Sequence, residues 1–127
     1  MANRILYPVR HYDPELKVID VLIEPNGTGV PNIISGHRGV ASVVRNTTGD
    51  IIVTMNDGWV YMPVMGVSLQ LAAFANCTVI AGPYSAVAKT LHIFTATAGS
   101  QADISADGTN HQNLIHLHLA CKDSSVK

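Results

Sequence analysis

Apolar and polar residues alternate with a period of two along most of this chain, and turn-forming residues separate the alternating runs. In "DIIVTMNDG", residues 50–58, Ile51, Val53 and Met55 share one parity. Side chains of a β-strand point alternately to its two faces, so this parity predicts a strand with one buried face. Similar runs predict further strands near residues 16–24, 40–45, 67–73, 77–81, 91–95 and 115–121.

The predicted fold is all-β: one antiparallel β-sandwich or barrel, jelly-roll-like, formed by residues 16–127. Asn26-Gly27 supplies a tight turn, because both residue types tolerate a positive φ, and Thr48-Gly49 is a second turn signal. No segment has a convincing helical period, although "LQLAAFA", residues 69–75, fits a short helix as well as a strand. The expected core contains Ile19, Val21, Ile23, Ile51, Val53, Met55, Leu69, Leu71, Ile93, Leu117 and Leu119.

Residues 1–15 differ from the rest of the chain, because they show no sustained period. Pro8 and Pro14 exclude a long regular element there. We interpret this segment as an extended N-terminal arm that becomes ordered on a neighbouring molecule. The side chains that would bind the partner are the apolar ones of the arm: Ile5, Leu6, Tyr7, Val9 and Tyr12.

Charged residues make up only 13% of the chain, about half the usual share for a soluble domain. Charges are depleted at the cores of protein interfaces, so this composition favours a homo-oligomer, a dimer or trimer. Lys and Arg are scattered, which argues against nucleic-acid binding, and no apolar run is long enough to span a membrane. No signal peptide is recognised, so we expect a reducing cytoplasm and free thiols at Cys77 and Cys121.

Three histidines are the best candidates for chemistry. His92, His116 and His118 fall on the parity opposite to the apolar residues of their strands. If the two strands paired as a hairpin, the imidazoles would share one face and could bind Zn²⁺ or Cu²⁺, as in a cupin-like metalloenzyme. No carboxylate lies within these strands to complete the site. The favoured interpretation is therefore an outward polar face with no metal and no other cofactor, and a pH-sensitive subunit contact is a further option.

Other motifs give no sign of catalysis, and we expect a protein that is not an enzyme. Residues 27–29 read Gly-Thr-Gly, but the helix that a phosphate-binding loop needs does not follow. His37 has no acid–base partner at a recognisable spacing. Trp59, Tyr61 and Tyr84 could form a small stacking platform, which keeps a carbohydrate-binding β-sandwich as an alternative.

Two segments of the chain resemble small β-rich structural proteins of tailed bacteriophages. The first segment, residues 26–62, contains the pattern G-x-x-S-V-x-R-x-x-T-G-x-x-x-V-x-M/L-x-D, carried by Gly39, Ser42, Val43, Arg45, Thr48, Gly49, Val53, Met55 and Asp57. In the phage proteins this pattern forms a hairpin, so the resemblance implies a hairpin here. The second segment, residues 87–125, is similar to their closing strands: a strand, a loop that holds Asp103, a final alternating strand and an "SS" tail.

The function that the resemblance implies is that of a capsid decoration (cement) protein. Such a protein binds the outside of an assembled phage head and stabilises it without catalysing a reaction. Its partner would be the major capsid protein of the head. It would be made in the host cytoplasm and would end on the capsid surface of the virion. A phage tail or fibre component is compatible with the same residues.

Overall fold

The computed structural model describes residues 16–35, 39–59, 64–106 and 111–122, and its regular secondary structure there is β-strand. No helix occurs among these residues. The predicted arm, residues 1–15, lies outside them. In chain order the strands are β1 (Leu16–Glu24), β2 (Asn32–Ser35), β3 (Val40–Thr47), β4 (Asp50–Met55), β5 (Val64–Gln70), β6 (Cys77–Ser85), β7 (Thr90–Thr97), β8 (Ser100–Gln101) and β9 (Leu114–Lys122).

The strands form two antiparallel sheets that pack face to face. Sheet A has the order β2-β1-β9-β5, and sheet B has the order β3-β4-β7-β6, with β8 paired to the end of β7. The two sheets share no backbone pairing among the described residues, so the fold is a sandwich rather than a closed barrel. The all-β antiparallel fold predicted from the alternation is confirmed.

The core lies between the two sheets and contains the alternate apolar residues of the strands, as the sequence predicts. In sheet A, Val21 lies opposite Leu117, and in sheet B, Ile51 lies opposite Ile93. All four side chains are buried, and burying one such side chain contributes about 1.5–3 kcal/mol. Of the expected core, eight members are buried: Val21, Ile23, Ile51, Val53, Met55, Ile93, Leu117 and Leu119.

The three remaining members of the expected core are only partly buried. Ile19 and Leu69 are partly buried and pack against the core. Leu71 is only half-buried, because β5 ends at Gln70 and residues 71–76 are irregular. The segment 69–75 is therefore the end of a strand followed by a loop, and the helical alternative is wrong.

Two strands were absent from the prediction, and bulges interrupt the alternation of several strands, including β3 and β6. β2 and β8 have four and two residues, which is too short for a periodic signal. β3 contains a β-bulge between Val40 and Ser42, so Val40 and Val43 are both buried although their parities differ. An extra residue in one strand reverses the parity of everything that follows it, and the sequence pattern does not reveal where this happens.

The loops gather at the two ends of the sandwich. One end, which we call the β8 end, carries loops 25–31, 48–49, 71–76, 98–99 and 102–106. Hydrogen bonds join these loops, since Gly27 N donates to Ile104 O at 2.9 Å and Ala98 N donates to Asn76 O at 2.7 Å. β1 begins and β9 finishes at the opposite end, because Leu16 pairs with Lys122.

Candidate functional site

Three residues of the phage-like pattern form a hydrogen-bonded cluster with Asp103 at the β8 end. Arg45, on β3, donates from Nε and Nη2 to the two carboxylate oxygens of Asp103, at 3.0 and 2.9 Å. Gly49 N donates to Oδ1 of the same carboxylate at 2.9 Å, and Arg45 Nη2 also donates to Thr48 Oγ1 at 3.2 Å. We call Arg45, Thr48, Gly49 and Asp103 the Arg45 cluster. It fixes the β3–β4 turn against the loop that follows β8.

The electrostatics of this cluster favour the charged form of both partners. The hydrogen bond from Arg45 holds the pKa of Asp103 below its usual value, although partial burial opposes this, and the Gly49 N–H adds to the lowering. The Asp103 carboxylate in turn raises the pKa of Arg45. A bidentate Arg–carboxylate pair fixes an orientation as well as a distance, so the cluster acts as a structural clamp.

Two features of position 49 require a glycine. Its φ is +70°, in the left-handed region that favours glycine, and a Cβ there would lie 2.7 Å from Thr95 O and 2.8 Å from Ala102 N. Its carbonyl accepts hydrogen bonds from Thr95 N at 2.9 Å and from Gln101 Nε2 at 3.1 Å. The turn is therefore enclosed by β7, β8 and the loop after β8. The hairpin that the resemblance implies for this segment is present as β3–β4.

The three histidines proposed as a metal site do not come together. His92 lies on the outward face of sheet B, whereas His116 and His118 lie on the outward face of sheet A. The hairpin on which the proposal depended is wrong, because β7 and β9 belong to different sheets. Within the described ranges, no group of three His, Cys, Asp or Glu residues is arranged to hold a metal ion.

Each of these histidines instead lies beside a carboxylate of a neighbouring strand. His92 Nδ1 is 2.9 Å from Asp50 Oδ1. His118 Nδ1 is hydrogen-bonded to Asp20 Oδ1, and His116 Nε2 is 3.7 Å from the same oxygen. The hydrogen bond from His118 lowers the pKa of Asp20. The histidine-bearing strands β7 and β9 contain no carboxylate, as the sequence indicates, and the partners come from the neighbouring strands β4 and β1 through a register that the sequence does not display.

A fourth histidine binds a buried acid near the β8 end. His111 Nδ1 is 2.7 Å from Oε2 of Glu24, whose side chain is only 4% exposed. An ionised carboxylate only accepts hydrogen bonds, so His111 Nδ1 is the donor of this contact whenever Glu24 is charged. The backbone of His111 has a φ of +54°, which is uncommon for a residue other than glycine.

The aromatic residues proposed as a stacking platform are not on the surface together. Trp59 is buried in the core, and Tyr84 packs against the core and donates its hydroxyl proton to Trp59 O at 2.8 Å. Burial raises the pKa of Tyr84. Tyr61 lies outside the described residues. The platform on which the carbohydrate-binding alternative rested is therefore not formed by Trp59 and Tyr84.

Both cysteines are free thiols, as predicted. Cys121 is fully buried, and this burial raises the pKa of its thiol to about 11. Cys77 is half-buried at the start of β6, with its Sγ 3.7 Å from Thr97 Oγ1. The environment of Cys121 therefore disfavours a reactive thiolate.

The described surface exposes several large apolar side chains. Phe74 and Val87 lie in loops and are almost completely exposed. Val18, Val30, Ile34, Val44 and Ile80 are between 41% and 63% exposed. The arm residues Ile5, Leu6, Tyr7, Val9 and Tyr12 lie outside the described residues. No helix in the described ranges is long and apolar enough to cross a membrane.

Comparisons with protein-family models, with curated proteins and with solved structures found no match to this chain.

Proposed function

We propose that this protein is a non-enzymatic structural component of a bacteriophage virion, a decoration protein that binds the outside of the head and stabilises it. The observation that carries the proposal is the Arg45 cluster. Arg45, Thr48 and Gly49 come from one segment that resembles small phage structural proteins, and Asp103 comes from the other. One set of contacts therefore explains a pattern that is spread over two distant parts of the chain.

The described surface also suits packing against a protein lattice, because its charges are largely satisfied internally. The carboxylates of Asp20, Glu24, Asp50 and Asp103 each lie beside an Arg or His partner. A carboxylate that already accepts a hydrogen bond within the protein loses fewer water contacts when a partner covers it. The exposed apolar side chains add a favourable term when a partner covers them, about 25 cal/mol for each Å² of apolar area.

In this proposal the partner is the major capsid protein, and copies of the chain associate as dimers or trimers. The arm, residues 1–15, contributes the contact to a neighbour through Ile5, Leu6, Tyr7, Val9 and Tyr12. Burial of these side chains contributes several kcal/mol before the cost of ordering the segment, at about 25 cal/mol per Å².

Co-sedimentation tests the proposal. Purified protein is mixed with phage heads that lack it, and the bound fraction is measured after centrifugation through a cushion. We expect saturable binding by the intact chain. A full-length variant with serine at all five arm positions should bind more weakly, whereas Val87→Ser, at an exposed turn outside the arm, serves as the matched control.

The outcomes separate the alternatives. If the intact protein stays in the supernatant while the heads sediment, the decoration role is contradicted. Protein that sediments with purified tails instead of heads supports the tail or fibre component. Equal binding by the arm variant and the intact chain removes the arm from the contact but leaves the decoration role in place.

A further inference from the structure

One side of the sandwich is formed by β5 and β6, since each is the last strand of its own sheet and the two lie next to each other. The sequence that contains both strands has no Asp, Glu, Lys, Arg or His from Gly58 to Ala88. The loop between the two strands exposes the side chain of Phe74 completely. Charge is depleted at the cores of protein interfaces, so this side of the sandwich has the composition of an interface.

The core is incompletely covered on the same side. The inward side chain of Leu117 on β9 is 0% exposed. Val67 lies opposite Leu117 on β5, and Leu69 follows on the same face, yet both are only half-buried. A further strand beside β5 would cover the apolar surface that these two side chains expose.

The backbone of β5 has a free edge. β5 pairs with β9 on one side, and no described strand pairs with it on the other. A bulge at Met65 interrupts only the beginning of the strand, so residues 66–70 form a regular edge. The unpaired N–H and C=O groups of such an edge bind another extended strand, which defines the chemistry of the partner.

The other three sheet edges are each protected against such pairing. β2 has only four residues, and β3 has bulges near both ends and carries the charged Arg45. β6 contains Pro83 within a bulge, and proline has no N–H to donate. Short length, bulges, charges and proline are the usual devices that keep edges from pairing. β5 has seven residues without charge or proline, so it is the least protected edge among the described strands.

We propose that β5 pairs antiparallel with β5 of a second copy of this chain about a two-fold axis at Ser68, an inference that rests on the homo-oligomer in the proposed function. A two-fold contact is self-complementary, because the same surface is used by both copies. Ser68 is the middle of the regular edge and faces its own equivalent. Val67 of one copy then lies opposite Leu69 of the other on the core side, and Gly66 lies opposite Gln70 on the outer side.

The residues of β5 favour a second β5 over the other described edges. Like charges directly opposite each other destabilise a strand pair, and β5 has no charge that could face its own copy. The half-buried Val67 and Leu69 cover each other across the axis, so the pair closes the core on both copies. A β3 edge would bring Arg45, and a β6 edge would bring Pro83. Sheet A, with four strands in each copy, becomes one continuous sheet.

Disulfide trapping of the full-length chain tests this inference. The variant carries Ser68→Cys, with Cys77→Ser to remove the more accessible native thiol, and Cys121 stays because it is fully buried. Residues that face each other in antiparallel strands have Cα atoms about 4.5–5.5 Å apart, which suits a disulfide. The matched control carries Ser42→Cys in the same background, since Ser42 is an exposed serine on the β3 edge. Both variants are oxidised in dilute solution without heads.

We expect the Ser68→Cys variant to shift from monomer to covalent dimer on non-reducing gels, and the Ser42→Cys control to remain monomer. The introduced cysteine meets its equivalent only in another copy, so the dimer reports the two-fold contact directly. Equal cross-linking of the two variants overturns the inference. The absence of cross-linking also overturns it, whether a segment of the same chain or nothing covers β5.

Sedimentation equilibrium of chains without introduced cysteines gives an independent readout. Ser68→Lys places two like charges at the axis, so we expect the mass to fall from dimer to monomer, whereas Ser42→Lys should leave the mass unchanged. The fluorescence of Trp59 in urea shows whether each variant is folded. A dimer that survives Ser68→Lys, or an intact chain that is already monomeric, overturns the inference. Normal co-sedimentation of the intact chain with heads, in that case, leaves the decoration role standing.

Discussion

Replacement of Leu117 by alanine should be among the most damaging single changes in the described core. Leu117 is 0% exposed at the centre of β9, where it pairs with Val21 of β1 on one side and Val67 of β5 on the other. Truncating a buried leucine costs about 2–5 kcal/mol, because transfer energy is lost and a cavity remains. Small domains have only about 5–15 kcal/mol of stability in total, so this loss is a large share of it.

Urea unfolding measures this loss conveniently. Trp59 is the single tryptophan and is buried, so its fluorescence reports on the core. The control is His116→Ala, one residue away on β9 but 51% exposed at its side chain, where we expect a change within about 0.5 kcal/mol. Equal losses for the two variants, at the same protein concentration, would show that the assignment of faces on β9 is wrong.

Further predictions concern the β3–β4 turn, the dependence of stability on acidic pH and the reactivity of the two thiols. Gly49→Ala should lower the free energy of unfolding by at least about 1 kcal/mol, and by more than Gly99→Ala, which also has a positive φ but no atom within 4 Å of an added Cβ; equal urea midpoints would contradict this. The pKa of Asp103 is lowered in the folded state, so its contribution to stability is complete above the ordinary value of about 4 and is lost as the pH falls towards the folded value. Asp103→Asn should therefore flatten the pH dependence of the urea midpoint below about pH 5; an unchanged slope would refute the clamp. In native protein at pH 8, a thiol reagent should modify Cys77 well before Cys121, and simultaneous modification would show that the burial of Cys121 is wrong.

The sequence predicts a strand correctly where its apolar and polar residues alternate without interruption. Ile51, Val53 and Met55 alternate because β4 has the core on one face and contains no bulge of its own. The alternation fails for Val40 and Val43, because a bulge changes the parity within β3. A bulge depends on the partner strand, so the pattern of one strand does not contain it.

The contacts of the candidate site depend on register and sheet order in the same way. Arg45 and Asp103 are 58 positions apart, and His118 and Asp20 are 98 apart. Nothing in the composition of either strand indicates which residue lies opposite. The histidines lie on the outward parity that the sequence indicates, but the hairpin considered for their strands does not form, since β9 pairs with β1 and β5 rather than with β7.

The most direct test of the decoration role is the heat stability of phage heads with and without this protein. DNA-filled heads that lack the protein are heated with a DNA-binding dye, and the temperature of genome release is recorded before and after saturation with the purified chain. The account predicts that release moves to a higher temperature, and that the shift saturates with added protein. An unchanged release temperature at saturating protein would contradict the stabilising role proposed for this chain.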